Sequence, residues 1–295
     1  MPKIISRRDA LAGAALAVPA LSIARAASDK ELDATIEPGL AALERKHGGR
    51  LGVAVLNVAT GAIAGHRSDE RFLLCSTFKT LLTACILQRV DQEQESLERV
   101  IRFARTDLVE WSPVAETRTG KAGMTIGELC RATVTTSDNT AANLLLDACG
   151  GPKTVTEFLR ALGDPTTRLD RIEPALNEHS GPDDMRDTTT PAAIVETLRT
   201  LFFTEALSRR SRSELAAWHV ANRTGDARLR AGFPQDWLVG DKTGTNRTGM
   251  ANDVAVAWPV DRGPVIVAAY CDMTEASGAE RDGAIAEVGR LAAGA

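Results

Sequence analysis

The chain has 295 residues, of which 44% are hydrophobic and 25% charged. That is ordinary globular composition, long enough for one large domain or two intimately packed ones, and it excludes a disordered chain. A net charge of -4 and an isoelectric point of about 5.7 provide no basic surplus for a phosphate backbone, so no nucleic acid partner is expected.

Residues 1–27 begin with Lys3, Arg7 and Arg8, continue through an apolar run from Ala10 to Ala24 and close on Ala24-Arg25-Ala26. This is the three-part layout of an export signal with an A-x-A cleavage site. The run is too short to span a bilayer as an ordinary helix, and Gly13 and Pro19 lower its hydrophobicity further. Ser6-Arg7-Arg8-Asp9-Ala10-Leu11 resembles a twin-arginine signal, which exports protein already folded. A periplasmic or secreted protein without stable membrane association is expected, because the later apolar runs are short. Cys75, Cys85, Cys130, Cys149 and Cys271 are odd in number, so at least one is unpaired, and folding in a reducing cytosol weakens the case for a required bridge. No C-x-x-C occurs, and His47, His66, His179 and His219 are scattered, which argues against a zinc hydrolase. No metal and no cofactor are implied.

A helical segment near Glu31–Lys46 precedes a strand beginning at Leu51, and Thr60-Gly61 turns the chain into Ala62–Arg67, forming a hairpin. From Ser76 to about Ala217 the pattern is helical, broken by Gly and Pro, with no convincing strand. Strand patterns return at Trp237–Asp241, Asp253–Trp258 and Val265–Cys271, and Glu275–Leu291 reads as a closing amphipathic helix. Strands at both ends flanking helices predict an α/β fold: one antiparallel five-stranded sheet with flanking helices and an inserted all-helical lobe.

Three short motifs stand in order: Ser76-Thr77-Phe78-Lys79, Ser137-Asp138-Asn139 and Lys242-Thr243-Gly244. Ser76 opens the segment Thr77–Val90, apolar nearly all round and therefore a buried helix. Ser76 and Lys79, three residues apart, share a helix face, so Lys79 can approach the hydroxyl while the helix dipole favours negative charge developing there. Taken singly, the first motif is an N-cap serine with a solvated lysine, the second a helix cap or turn, and the third a strand-end turn; read for function, Lys242-Thr243-Gly244 ends a strand, where Gly244 lets a ligand approach the backbone. Arg168–Asp187 is polar and holds proline, a long surface loop on its face. It contains Glu173-Pro174-Ala175-Leu176-Asn177.

All three motifs in this order, with the Glu173–Asn177 pattern, resemble the class A serine β-lactamase family, and the resemblance covers nearly all of the chain after residue 27. It implies the two-lobed fold shared with penicillin-binding proteins, with the site in the cleft between lobes. The lobes are expected at 28–68 with 225–295 (α/β) and at 69–224 (helical). The resemblance makes Ser76 the nucleophile and Lys79 or a Glu173-bound water the base in acylation. Ser137 relays a proton to the leaving lactam nitrogen, and Lys242 supports the electrostatics around Ser137. Glu173 is the base that deacylates, Asn177 a second partner for its water, and Asn139 the group that binds the substrate's side-chain amide. The backbone N–H groups of Ser76 and Thr245 form the oxyanion hole. The Glu173–Pro174 bond is cis in the family, and Arg171 with Asp187 resembles the ion pair that pins the loop ends. Arg228, Thr243 and Thr245 suit a clamp for the β-lactam carboxylate, with a surface arginine equally open for Arg228. Trp111 matches the aromatic at the cleft mouth, with loop packing open beside it. In some relatives a cysteine at the Cys75 position is bridged to the second residue after the K-T-G glycine. Asn246 stands there, so that bridge cannot form.

The expected activity is hydrolysis of penicillins and cephalosporins, small-molecule β-lactams, by a monomer. A peptidoglycan transpeptidase shares the three motifs but generally lacks the Glu173–Asn177 pattern. A non-catalytic β-lactam sensor would need a transmembrane signalling segment, and the sequence holds none.

Overall fold

Apolar runs from both ends of the chain meet in one sheet. The computed structural model describes residues 34–120, 122–181 and 183–294; residues 1–27, read above as an export signal, lie outside them. Helix α1 (residues 34–47) leads into the expected hairpin of β1 (Arg50–Asn57) and β2 (Ile63–His66). Strand β3 (Phe72–Leu73), a 3₁₀ turn at Cys75–Thr77 and helix α2 (Phe78–Asp91) follow. Next come β4 (Val100–Ile101), β5 (Met124–Thr125), α3 (Ile126–Thr135), α4 (Asn139–Cys149) and α5 (Pro152–Ala161). Strand β6 (Thr188–Thr189), α6 (Pro191–Phe203), α7 (Arg209–Val220) and the short α8 (Leu229–Gly232) complete the middle of the chain. The last elements are β7 (Leu238–Thr245), β8 (Met250–Trp258), β9 (Val265–Asp272) and α9 (Gly278–Ala293).

The main sheet has five antiparallel strands in the order β2-β1-β9-β8-β7, so β7 is an edge. Alternation along each strand sends side chains to two buried faces. Leu51, Val53 and Val55 of β1 join Ile36, Leu40, Ile285 and Val288 of α1 and α9 in one core. Ala54 and Leu56 face a larger core that continues through α2, α3, α4 and α6. Because both faces are covered, the strands read as continuous apolar runs, and β8 is buried from Met250 to Ala257. A Cβ at Gly52 would fall 2.2 Å from the Phe72 ring, so glycine lets the segment that carries Ser76 lie close on β1.

Three differences from the sequence reading have plain causes. The middle of the chain does contain strands: β4 pairs with β5, and β6 with β3, through two residue pairs each. Strands of two residues are too short for alternation to register. The apolar strand pattern stops at Asp241, but strand β7 runs on through Lys242, Thr243 and Gly244, the motif expected to end a strand, to Thr245, which pairs with Ala251. The closing helix starts at Gly278 because Ser277 and Glu280 form a capping box there. All five cysteines are free and buried. No helix among the described residues is long and apolar enough to cross a membrane.

Candidate active site

Ser76 sits in the 3₁₀ turn that runs into α2, a helix buried through Leu87. The edge strand β7 lies against this turn. A Cβ at Gly244 would come to 3.0 Å from Cys75 Cβ, 3.0 Å from Leu74 O and 3.1 Å from Ser76 N, so any larger residue would make strand and turn give way by a few tenths of an ångström. Asn252 of β8 fixes the turn from behind, donating from Nδ2 to Leu73 O at 2.9 Å and to Leu74 O at 3.2 Å.

Lys79 Nζ lies among five acceptors: Ser76 Oγ at 3.0 Å, Ser137 O at 2.8 Å, Ser137 Oγ at 3.2 Å, Asn139 Oδ1 at 2.5 Å and Glu173 Oε1 at 3.1 Å. An ammonium has three protons, so at most three of these five contacts are full, unshared hydrogen bonds at once. Burial pushes the Lys79 amine below its usual range, against the pull of Glu173. Lys242 Nζ, also buried, donates to Ser137 Oγ at 3.1 Å and to Thr243 O at 2.7 Å. Burial first, and then the charge of Lys79, hold Lys242 well below the ordinary lysine range. Two lysine nitrogens thus converge on one serine hydroxyl.

Ser137 occupies the left-handed region, with φ 58°. It is held there by its neighbours. Asp138 is the N-cap of α4: Oδ1 accepts from Ala141 N at 2.8 Å, and Oδ2 accepts from Val114 N and Ala115 N, each at 2.9 Å. The helix-cap reading of this motif is therefore also correct, for its middle residue. Asn139 turns its oxygen to Lys79 and donates from Nδ2 to Glu110 O at 2.9 Å, tying the Trp111 loop to α4. Trp111 is 62% exposed at φ 61°, with its indole N–H on Thr136 O at 3.0 Å.

Glu173 Oε1 is 3.4 Å from Ser76 Oγ, and Oε2 accepts from Asn177 Nδ2 at 2.6 Å. Asn177 Oδ1 is a buried acceptor without a protein partner. The loop is pinned at its base: Arg171 Nε donates to Asp187 Oδ2 at 2.6 Å, while Asp187 Oδ1 accepts the N–H groups of Asp170 and Arg171 at 2.7 and 2.9 Å. The Glu173–Pro174 bond is cis.

Arg228 is not a surface residue: it is 9% exposed. Its Nε donates to Asp282 Oδ1 at 2.7 Å, Nη1 to Gly244 O at 2.9 Å and Asn252 O at 2.8 Å, and Nη2 to Thr245 Oγ1 at 2.8 Å. The two-pronged clamp expected of it would require breaking bonds within the protein. It reaches the cleft through Thr245. Thr243, 6% exposed, bonds through Oγ1 to Thr224 Oγ1 at 2.6 Å.

Asn143, Asn252, Asn222 and Thr224 were not singled out from the sequence. Asn143 had a signal, since it lies one helical turn beyond Asn139 on α4 and shares its face. The others join the site only through tertiary contacts.

A serine-bearing turn pressed against a sheet edge, with a buried amine and a carboxylate in reach of one hydroxyl, is the arrangement of a serine hydrolase, and that is the class of protein the site defines. The sequence profile of the Beta-lactamase enzyme family matches residues 35–295. The chain is 45% identical over 288 residues to β-lactamase L2 of Stenotrophomonas maltophilia, covering 96% of this chain and 94% of that one. It is 46% identical over 258 residues to β-lactamase AST-1 of Nocardia asteroides, covering 88% and 83%. Among solved structures, an ancestral (GNCA) class A β-lactamase superposes with a TM-score of 0.85 at 57% identity, covering 87% of this chain and 98% of that chain. The chain belongs to the class A serine β-lactamase family, enzymes whose hydrolysis of β-lactams underlies resistance to them.

Proposed function

We propose that the enzyme hydrolyses the lactam amide of penicillins and cephalosporins through an ester on Ser76. Ser76 Oγ attacks the carbonyl carbon as Lys79, 3.0 Å away, or a water held by Glu173 takes its proton; burial pushes the Lys79 amine below its usual range, the direction a general base needs. The oxyanion is held by the Ser76 and Thr245 N–H groups, and such a donor is typically worth about a hundred- to a thousandfold in rate. Ser137, between Lys79 and Lys242, passes a proton to the lactam nitrogen as the C–N bond breaks. Glu173 then removes a proton from water, the hydroxide adds to the ester carbon, and Ser76 leaves with a proton returned through Lys79. Asn177 aligns the water, Asn139 meets the acylamino side chain, Thr243 and Thr245 bind the carboxylate with Arg228 behind them, and Trp111 walls the mouth. The hydroxyl of Thr245 supports cephalosporin turnover beside penicillins.

The placement of Glu173 within 3.4 Å of Ser76 Oγ, its other oxygen fixed by Asn177, carries this reading. A sensor that stays acylated has no need of a base aimed at the ester, and a peptidoglycan transpeptidase or carboxypeptidase generally lacks the Glu173–Asn177 pattern. Glu173→Ala should acylate and then stall, so mass spectrometry after mixing with benzylpenicillin should find the mutant carrying the intact drug mass and wild type nearly free of it. Ser76→Ala should carry none. A long-lived adduct on wild type, or wild-type turnover by Glu173→Ala, would defeat the assignment.

We also propose residues 1–27 as a twin-arginine export signal and 28–295 as the periplasmic or secreted catalytic region, with the α/β lobe at 28–68 and 225–295 and the helical lobe at 69–224. The enzyme acts as a monomer, every site residue coming from one chain. Undiminished export after Arg7→Lys and Arg8→Lys together would remove the twin-arginine part.

A further inference from the structure

Thr224 and Asn222 have no step in the reaction just described, yet they determine which way the Thr243 hydroxyl points. Thr224 Oγ1 lies 2.6 Å from Thr243 Oγ1 and 2.9 Å from Asn222 Oδ1. The orientation of the Asn222 amide follows from its other partners. Its Oδ1 receives the Thr224 backbone N–H at 3.1 Å, a group that can only donate, and its Nδ2 donates to Asp241 Oδ2 at 2.6 Å. Arg230 holds the other oxygen of that carboxylate, with Nε at 3.1 Å and Nη2 closer still.

An amide oxygen accepts only, so the single hydroxyl proton of Thr224 goes to Asn222. The bond between the two threonines is then made with the proton of Thr243. Every bond in the row from Thr243 to Thr224 to Asn222 to Asp241 runs in one direction, toward the buried carboxylate. Asn222 is 5% exposed and Thr243 6%, so little bulk water competes for these groups. A substrate carboxylate is also an acceptor only. It meets the lone pairs of Thr243, not its proton.

We propose that Thr224 is a specificity-determining positioning residue, which holds the Thr243 proton away from an incoming carboxylate so that anionic β-lactams bind by displacing the bond between the two threonines. This rests on the reading of Thr243 as a carboxylate-binding group. The exchange goes forward because a bond to a carboxylate is stronger than one between neutral hydroxyls. Its cost is that of one neutral hydrogen bond, about two- to tenfold in affinity.

Thr224→Val keeps the shape and removes the acceptor. With benzylpenicillin it should raise kcat/KM by about two- to tenfold through KM, with kcat little changed. Thr224→Ser, which keeps the hydroxyl, should retain the higher KM, and in a Thr243→Ala background Thr224→Val should have no effect. If Thr243→Ala alone weakens KM while Thr224→Val leaves KM unchanged or raises it, the inference fails and the carboxylate reading stands. A gain from Thr224→Val that persists without the Thr243 hydroxyl also overturns it. An unchanged KM for Thr243→Ala alone removes both.

Discussion

Asn143 holds both backbone polar groups of Glu173: its Nδ2 donates to the Glu173 carbonyl at 2.9 Å, and its Oδ1 accepts the Glu173 N–H at 3.0 Å. The distance from the Glu173 carboxylate to Ser76 Oγ is therefore set by α4 as well as by the loop that carries Glu173. Helix α4 also begins with the Asp138 cap behind Ser137. One element positions both the proposed proton relay and the proposed deacylating base.

Asn143→Ala removes two hydrogen bonds and leaves a part-buried N–H and C=O to find other partners, a loss of about 2 kcal/mol of stability. Deacylation is expected to suffer more than acylation, with kcat down by roughly tenfold and an acyl-enzyme accumulating, since general-base geometry tolerates little displacement. Rapid quench followed by mass spectrometry separates the two steps. Equal losses in both would mean that Asn143 supports the helix and not the base.

Residues whose chemistry is local were legible in the sequence. The spacing of Ser76 and Lys79 needs only helical geometry, and the Glu173–Asn177 run carries its hydrogen bond within one turn of the loop. The strands of the main sheet are legible because both faces are buried, although the apolar pattern of β7 ends at Asp241: Lys242, Thr243 and Gly244 carry little strand pattern of their own, and pairing with β8 takes the strand on to Thr245. Arg228 could not be resolved because burial of an arginine depends on what packs over it, here Asp282 of α9. Asn252 and Thr224 are single polar residues without a motif. Their partners lie 179 and 19 residues away, respectively, a separation no short pattern encodes.

Arg228→Ala should lower kcat/KM on carboxylate-bearing β-lactams by roughly ten- to a hundredfold, the range for losing a hydrogen bond to a charged group. Thr245 would lose its partner and Asp282 its ion pair. Arg228→Lys should restore little, because one ammonium cannot reach Gly244 O, Asn252 O, Thr245 and Asp282 together. An unchanged kcat/KM would leave Arg228 as packing behind the sheet.

His219 is fully enclosed, and burial, with a smaller contribution from the charge of Lys242, brings its pKa from 6.5 down to about 4. Its Nδ1 bonds Leu215 O at 2.7 Å, and Nε2 bonds Thr80 Oγ1 at 2.8 Å. Between those pKa values the unfolded chain binds a proton that the folded one refuses. The contribution is therefore complete above pH 6.5 and is lost as pH falls toward 4, amounting to about 2 kcal/mol by pH 5. Urea denaturation at pH 7 and pH 5 should show that loss in wild type and much less of it in His219→Gln. Equal slopes in the two proteins would place the acid sensitivity elsewhere.

Gly244→Ala tests whether the contact between β7 and the Ser76 turn matters to the chemistry or only to the fold. The added methyl would sit 3.0 Å from Cys75 Cβ, 3.0 Å from Leu74 O and 3.1 Å from Ser76 N. None of those three atoms can rotate aside, so strand and turn should give by a few tenths of an ångström at a cost of about 1–3 kcal/mol. That movement separates the Thr245 N–H from the Ser76 N–H, and the acylation rate should fall by roughly a hundredfold or more, the loss expected when an oxyanion donor is displaced. Stopped-flow acylation with nitrocefin, beside a melting curve on the same sample, distinguishes the two effects. Relieving Cys75 alone, by Cys75→Gly in the Gly244→Ala protein, should recover only part of the rate, because the contacts with Leu74 O and Ser76 N remain. Acylation near the wild-type rate in Gly244→Ala would mean that the two N–H groups need not be held together by this strand, and the proposed oxyanion hole would have to be sought elsewhere in the cleft.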